Sequence, residues 1–202
     1  MSLWLAEPLV LASKSSVRRA LLQAAGIPVE IDPAAIDERA VESSKAAGAS
    51  ADRVASLLAR EKALDVALRK PKSTVLGADQ TLAIGERRFS KPATAAAARE
   101  QLKALAGKTH ALHSAIALAR GETILFETVT TARLTMRPLS EAFLDAYLAA
   151  AGDRVLSSVG GYQLEGLGVH LFERIEGDHF TILGLPLLPL LAYFRSAGLA
   201  GS

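Results

Sequence analysis

A mixed α/β fold with long β-hairpins is what this sequence predicts, and three patterns carry the prediction. Short apolar runs of strand character alternate with segments of helical periodicity. Two pairs of β-rich runs are joined by glycine-led turns, at Gly85-Glu86 and Gly121-Glu122. No repeat, low-complexity tract or linker divides the 202 residues, so the chain reads as one domain over 1–202.

The elements follow in order. Leu9 to Ala12 is a short apolar strand, and the polar Ser13 to Ser16 leads into a helix whose Leu21, Leu22 and Ala25 recur at helical spacing up to Gly26. Val29 to Ile36 has the pattern of an edge strand. Ser50 caps a helix in which Val54, Leu57, Leu58, Leu64 and Leu68 form one stripe before Pro71. Thr74 to Ala78 is a strand ending in a turn at Asp79-Gln80, and Thr81 to Ile84 pairs with Arg87 to Phe89 as a hairpin. Pro92 stops that strand, Thr94 caps a helix through Leu105, and Gly107 closes it. A long hairpin spans Thr109 to Ala119 and Thr123 to Met136, followed by a helix from Ser140 to Ala150 that ends at Gly152. Val155 to Leu183, rich in Gly and β-formers, leads to a last helix beginning near Pro186.

Composition narrows the function classes. The 50% hydrophobic share is swollen by 38 alanines, so the larger apolar side chains are concentrated in the elements above and disorder is excluded as the main state. A net charge of +2, with no basic run beyond pairs such as Arg18-Arg19, argues against nucleic acid or an anionic membrane as partner. The absence of cysteine removes disulfides, zinc-thiolate sites and thiol nucleophiles. The apolar tail Ile182 to Phe194 is broken by Gly184, Pro186 and Pro189 and falls short of the roughly 20 residues a membrane span needs. With no basic, apolar leader over Met1 to Val10, a cytoplasmic location is expected.

Several familiar site types fail. Ala106-Gly107-Lys108-Thr109 looks like the end of a phosphate-binding loop, yet Leu102 occupies the place of its first glycine and the strand–helix order is reversed. His110 and His113, three apart on a strand, point to opposite faces and make no metal pair. Neither a Gly-x-Ser-x-Gly elbow nor a dinucleotide fingerprint is present.

What remains suits phosphate. Ser13-x-Ser15-x-x-Arg18 places hydroxyls and backbone N–H groups at a helix start, where an arginine can clamp an anion. Asp79 follows an apolar strand, the Asp37-Glu38 pair adds carboxylates, Lys62 projects from a helix and Lys91 precedes Pro92. Carboxylates that hold a divalent cation or activate water, beside cations that neutralise polyphosphate oxygens, are the mixture phosphoryl chemistry requires.

In that order, with Ala-Arg-Glu61-Lys62-Ala, Leu-Gly-Ala-Asp79-Gln80, Leu-x-Gly107-Lys-Thr-His, Glu165-Gly-Leu-Gly and Gly184-Leu-Pro, these residues resemble the Maf proteins from Leu9 to Phe194. The resemblance implies an inosine-triphosphatase-like fold with two lobes around a nucleotide cleft. It also implies a nucleoside triphosphate pyrophosphatase that clears unwanted nucleotides, releasing a nucleoside monophosphate and pyrophosphate. By position, Asp79 would be the general base or, alternatively, a metal ligand, Glu38 would help hold Mg²⁺ or Mn²⁺, and Ser13, Ser15, Arg18, Lys62 and Lys91 would take phosphates. Gln80 and Glu165 resemble the branch associated with 7-methyl-GTP, whereas Val17 departs from the aromatic often found there. The alternatives implied are dTTP or UTP as substrate, or a nucleotide-binding regulator of septum formation that does not cleave. Related proteins are often dimers, so a homodimer is expected.

Overall fold

The computed structural model describes residues 3–201. Hydrogen bonding orders a seven-stranded mixed sheet as β2-β1-β3-β5-β6-β7, with β4 paired to β3. The strands are β1 (Leu9–Leu11), β2 (Val29–Ile31), β3 (Val75–Ile84), β4 (Arg87–Phe89), β5 (Thr109–Arg120), β6 (Thr123–Met136) and β7 (Phe172–Glu176). Among the described residues seven α-helices accompany them: α1 (Ser16–Ala24), α2 (Glu38–Lys45), α3 (Ala51–Arg69), α4 (Ala95–Leu105), α5 (Glu141–Ala151), α6 (His179–Ile182) and α7 (Leu187–Ser196). The mixed α/β class and both hairpins match the expectation, and none of these helices is long and apolar enough to cross a membrane.

The chain forms two compact units. One comprises the residues up to Gln80, His113–Thr130 and those from His179 on; the other comprises Thr81–Leu112 and Thr131–Asp178. In the first, β1 lies parallel to β2 and β3, with Leu11 opposite both Ile31 and Leu76. The two-residue alternation of strands separates two cores. Leu9, Leu11, Leu76, Ala78, Ile116 and Leu118 face α1 and α7, meeting Leu22, Leu187, Leu190 and Phe194. Val10, Ala12, Val75, Ala115, Ala117 and Ala119 face α3, meeting Ala55, Ala59, Ala63, Val66 and Ala67.

That second core corrects the stripe expected for α3. Its buried face is Val54, Ala55, Leu58, Ala59, Lys62, Ala63, Val66 and Ala67, while Leu68 is 57% exposed. The helix packs through alanine because it lies almost on the backbone of β3. A Cβ at Gly77 would stand 2.1 Å from the Ala59 carbonyl oxygen and 2.6 Å from the Ala63 nitrogen. Ser50 is the N-cap residue but makes no side-chain cap bond.

Three further boundaries differ. The edge strand stops at Ile31 rather than Ile36, because its partner β1 ends at Leu11, whose carbonyl takes the last bond from the Asp32 N–H. Asp37, whose side chain accepts from the Ala40 N–H, instead starts the helix α2, which the sequence pattern had not indicated. The third is β3, which runs through Asp79 and Gln80 without a turn.

In the second unit, α4 is capped by Thr94 and ends with Gly107 at φ +68°; α5 is capped by Ser140 and closed by Gly152 at φ +55°. Arg99 of α4 bridges to Asp145 at 2.5 Å and to Glu141 on α5. The Gly-rich stretch after α5 is mostly short 3₁₀ turns, at Gly152–Leu156, Val159–Gly161 and Leu167–Leu171, before β7 pairs antiparallel with β6. Its interior is aromatic: the buried His110 Nε2 is 2.6 Å from the Tyr162 hydroxyl, and both rings pack on Phe172.

Candidate active site

The site in the first unit is created by a short strand beside a long one. β1 last pairs at Leu11 with Leu76, and the Ala12 N–H donates to the Leu76 carbonyl at 2.9 Å. Beyond that point β3 continues without β1, and the chain from Ser13 turns into α1 at the carboxyl end of β1, where α/β sheets place their ligands. Asp79 thus lies inside a strand and not in a turn at its end; the end that opens the site belongs to β1.

The alternation of β3 assigns its side chains. Val75, Gly77 and Asp79 face α3, whereas Leu76, Ala78 and Gln80 face the opposite side. On α3, Lys62 follows Ala55 and Ala59 along the buried face, so close helix–strand packing brings its ammonium to Asp79. Lys62 Nζ is 2.6 Å from Asp79 Oδ1 and 2.7 Å from Glu38 Oε1. Glu38, the first residue of α2, reaches this ion pair from a half-exposed position, while Lys62 and Asp79 are 9% and 8% exposed.

Burial governs the Asp79 carboxyl. Desolvation pushes its pKa above the usual carboxylate value, the positive charges of Lys62 and Arg18 pull it back, and Glu38 adds to the push. A carboxyl held up in this way is a better proton acceptor near neutral pH than an ordinary surface aspartate.

Ser15 is the N-cap of α1 and accepts from the Arg18 N–H at 3.3 Å; its own N–H donates to Ser13 Oγ at 3.3 Å. Arg18 is anchored by donating through Nη1 to the Ala78 carbonyl at 2.8 Å and to Ser13 Oγ at 3.2 Å, and through Nε to the Gly184 carbonyl at 2.8 Å. Desolvation lowers the guanidinium pKa from its ordinary value, against the pull of Asp79 and Glu38. Arg18 therefore ties α1, β3 and the turn after α6 together, and its Nη2 stands beside Gly184, whose φ of +86° suits glycine. Val17 is half-buried in the first turn of α1.

Gln80 is fixed by residues that motif spacing did not single out. Its Nε2 donates to Ser114 Oγ at 2.9 Å, to the Thr181 carbonyl at 3.2 Å and to the Ile182 carbonyl at 3.0 Å. Ser114 leads into the buried apolar run Ala115 to Ala119 and Thr181 precedes the buried Ile182, and a buried hydroxyl residue beside such neighbours is the signal by which they could have been found. The second unit carries Lys91, exposed beside the buried Pro92, and Glu165, exposed in the turn before Gly166.

Among the described residues no three His, Asp or Glu side chains gather as a ready metal cage. Glu38 and Asp79 are nonetheless hard oxygen donors of the kind that hold Mg²⁺ through one or two carboxylates, with substrate phosphates completing the shell. A metal ion there would share both carboxylates with the Lys62 ammonium that pairs them.

A sequence model of the family described as "Maf-like protein" matches residues 8–197. A protein named nucleoside triphosphate pyrophosphatase from Rhodopseudomonas palustris (strain BisB18) is 59% identical over 196 residues, 96% of each chain. One named 7-methyl-GTP pyrophosphatase from Rhizobium etli is 56% identical over 191 residues, 94% of this chain and 96% of its own. Among solved structures, a HAM1 protein from Coxiella burnetii aligns over 65% of this chain and 73% of its own, with 20% identity and a TM-score of 0.41, too loose a likeness to carry an argument.

Proposed function

Because the chain belongs to the Maf-like protein family, we propose that it hydrolyses nucleoside triphosphates to nucleoside monophosphates and pyrophosphate, with a 7-methyl-GTP-like purine nucleotide as substrate class. The observation that carries this reading is the buried Asp79, raised in pKa and set against Lys62 and Glu38 beside the end of β1.

In the proposed step, Asp79 takes a proton from water. The water oxygen forms a bond to the α-phosphorus, the α–β phosphoanhydride bond breaks, and its electron pair leaves on pyrophosphate. Lys62, Arg18 and Lys91 neutralise phosphate oxygens, and the serine hydroxyls and N–H groups at the start of α1 orient them. Such positioning and charge neutralisation supply most of the acceleration in phosphoryl chemistry. A divalent cation, Mg²⁺ or Mn²⁺, held by Glu38 and Asp79 would supply further charge on the same oxygens. Lys62 then has two tasks: keeping the carboxylates paired before substrate arrives and moving its charge onto the triphosphate afterwards.

The purine preference rests on Glu165 and Gln80. A carboxylate accepts from the N1–H and amino group of guanine but repels the carbonyl acceptors of thymine and uracil. Val17 offers no ring for a cationic methylated base to stack on, so 7-methyl-GTP should exceed GTP by less than a stacking contribution of about 1–3 kcal/mol. The test is a pyrophosphate-release screen of 7-methyl-GTP, GTP, dTTP and UTP, with Mg²⁺, Mn²⁺ or chelator, on the wild type, Glu165→Gln and the Glu165→Gln/Gln80→Thr double variant. The guanine nucleotides should lead in the wild type and the pyrimidines should gain in the double variant. A wild type that prefers dTTP or UTP overturns the assignment of Gln80 and Glu165.

A further inference from the structure

We infer that Ser114 is a positioning residue that, with the Thr181 and Ile182 carbonyls, locks the Gln80 amide with Oε1 presented to the ligand, so that the site takes a hydrogen-bond donor from its substrate at this point. The inference deepens the functional reading above and rests on it for the identity of the ligand.

The argument is one of donors and acceptors. The Thr181 and Ile182 carbonyls can only accept. The Ser114 hydroxyl donates its one hydrogen to the Thr181 carbonyl at 2.7 Å, so it faces Gln80 with a lone pair. All three neighbours of the amide nitrogen are therefore acceptors, at 2.9, 3.2 and 3.0 Å. The opposite orientation would put Oε1 against two carbonyls, and turning the Ser114 hydroxyl towards it would forfeit that hydroxyl's bond to the Thr181 carbonyl. Ser114 is fully buried and Thr181 is 1% exposed, so water cannot relieve that repulsion. The Thr181 hydroxyl is itself held 2.7 Å from Thr130 Oγ1, which steadies the segment supplying both carbonyls.

With Nε2 consumed, Oε1 accepts from no described residue, and it lies where a Cβ on Gly184 would come within 3.5 Å. The same hypothetical Cβ would be 3.4 Å from Arg18 Nη2, so an acceptor and a charged donor flank the one glycine of this turn. A nucleotide's donors are its ribose hydroxyls and the N–H groups of its base. With Gln80 taken as a base-reading residue, as in the functional reading above, the chemistry recognised is a lactam or amine N–H on the base edge.

Two readouts test this. In Gln80→Glu the ionised carboxylate meets two carbonyls and a hydroxyl already committed to one of them, so the variant should melt roughly 4–10 °C below wild type at pH 8, and the gap should narrow as pH falls and a proton restores a donor. A gap that does not change with pH shows that the amide is not held in this orientation. For the ligand side, kcat/KM is compared for GTP, for 1-methyl-GTP, which lacks the N1–H, and for ITP, which lacks the 2-amino group. One of these losses should cost the wild type roughly 10–100-fold and should be reduced in Gln80→Leu. Ser114→Ala should shrink the same discrimination by roughly 3–10-fold through loss of one of the three acceptors, and Ser114→Thr, which keeps a hydroxyl, should restore it. If Ser114→Ala lowers only the melting temperature and leaves the discrimination at its wild-type value, Ser114 is merely structural and the inference fails. A wild type that releases pyrophosphate from no nucleotide defeats the functional reading separately, while the Gln80→Glu melting series still reports the amide orientation.

Discussion

Lys62 Nζ sits 2.6 Å from Asp79 Oδ1, with only 9% and 8% of the two residues exposed. The contact is made by the helix face Ala55-Ala59-Lys62-Ala63 lying on the strand face Val75-Gly77-Asp79, so it is as rigid as the packing beneath it. A buried pair of this kind is weak evidence for stability, because desolvation offsets much of the attraction. Its value lies in placing a raised carboxyl and a cation where β1 ends.

Asp79→Asn should lower turnover by roughly 10² to 10⁴, the range for losing a general base, in a protein that still folds. The variant also tests the sign of the pKa shift. A carboxyl whose folded pKa lies above its unfolded value is costly when ionised, a penalty absent in acid and growing as pH rises through the unfolded value of about 3.9. The melting temperature of Asp79→Asn minus that of wild type should therefore increase from pH 3.5 to pH 7.

Lys62→Met removes the strongest cation acting on Asp79, so the carboxyl should rise further and the acidic limb of the kcat/KM profile should move to higher pH. At pH 7 the loss should be roughly ten- to a hundredfold, the worth of one charge-assisted hydrogen bond. An unmoved acidic limb would show that Asp79 is not the group that limb reports.

Gly77→Ala should be among the most damaging single-methyl additions in the chain. The new Cβ meets backbone atoms at 2.1 and 2.6 Å, which cannot rotate away. Helix α3 must lift, at roughly 3 kcal/mol, or about 6–12 °C of melting temperature. Thermal denaturation checks the size, and the residual activity of the folded fraction shows whether Lys62 moved with its helix.

His110 sets an acid limit on the second unit. Burial lowers its pKa to about 4, and its Nδ1 has no hydrogen-bond partner, so the imidazole is neutral when folded. For a base with a depressed folded pKa, the stabilisation is complete above the unfolded value of about 6.5 and is lost as pH falls from there to about 4. That loss approaches about 3 kcal/mol. His110→Phe, which forfeits the Tyr162 hydroxyl contact, should be less stable than wild type at pH 7 and show a flatter decline between pH 6.5 and 4 in chemical denaturation.

The elements most legible in the sequence were those with local punctuation. Thr94 and Gly107 bound α4, Ser140 and Gly152 bound α5, and Gly121-Glu122 turns β5 into β6, because caps and turns depend on a few neighbouring residues. What sequence could not give were features set by distant partners. The alanine face of α3 has too little hydrophobic contrast to reveal its inward side, since Leu57, Leu64 and Leu68 advertise a different stripe. Asp79 looked like the residue after a strand because Gly77 and the polar pair Asp79-Gln80 break its apolar run, yet β3 continues where β1 has stopped. Asp79, Lys62 and Glu38 were each indicated by residue type; their convergence on one ammonium is a property of the fold. Ser114 and Thr181 gave no motif at all, since a hydroxyl 34 positions away and a backbone carbonyl 101 positions away that orient one amide leave no local spacing to detect.

The alanine layer under α3 has a bearing on how this protein can diverge. Residues such as Ala59, Ala63, Ala115 and Ala117 offer no polar side-chain group, and each is fully buried. Their methyl groups act as a spacer whose thickness sets how far an ammonium one turn away can reach. A conservative enlargement there, Ala to Val, adds bulk that a soft core would absorb, but here it tilts the beam that carries Lys62. Drift in this layer should therefore register in the placement of Lys62 as well as in stability, which ties these positions to the candidate site although they lie in the core.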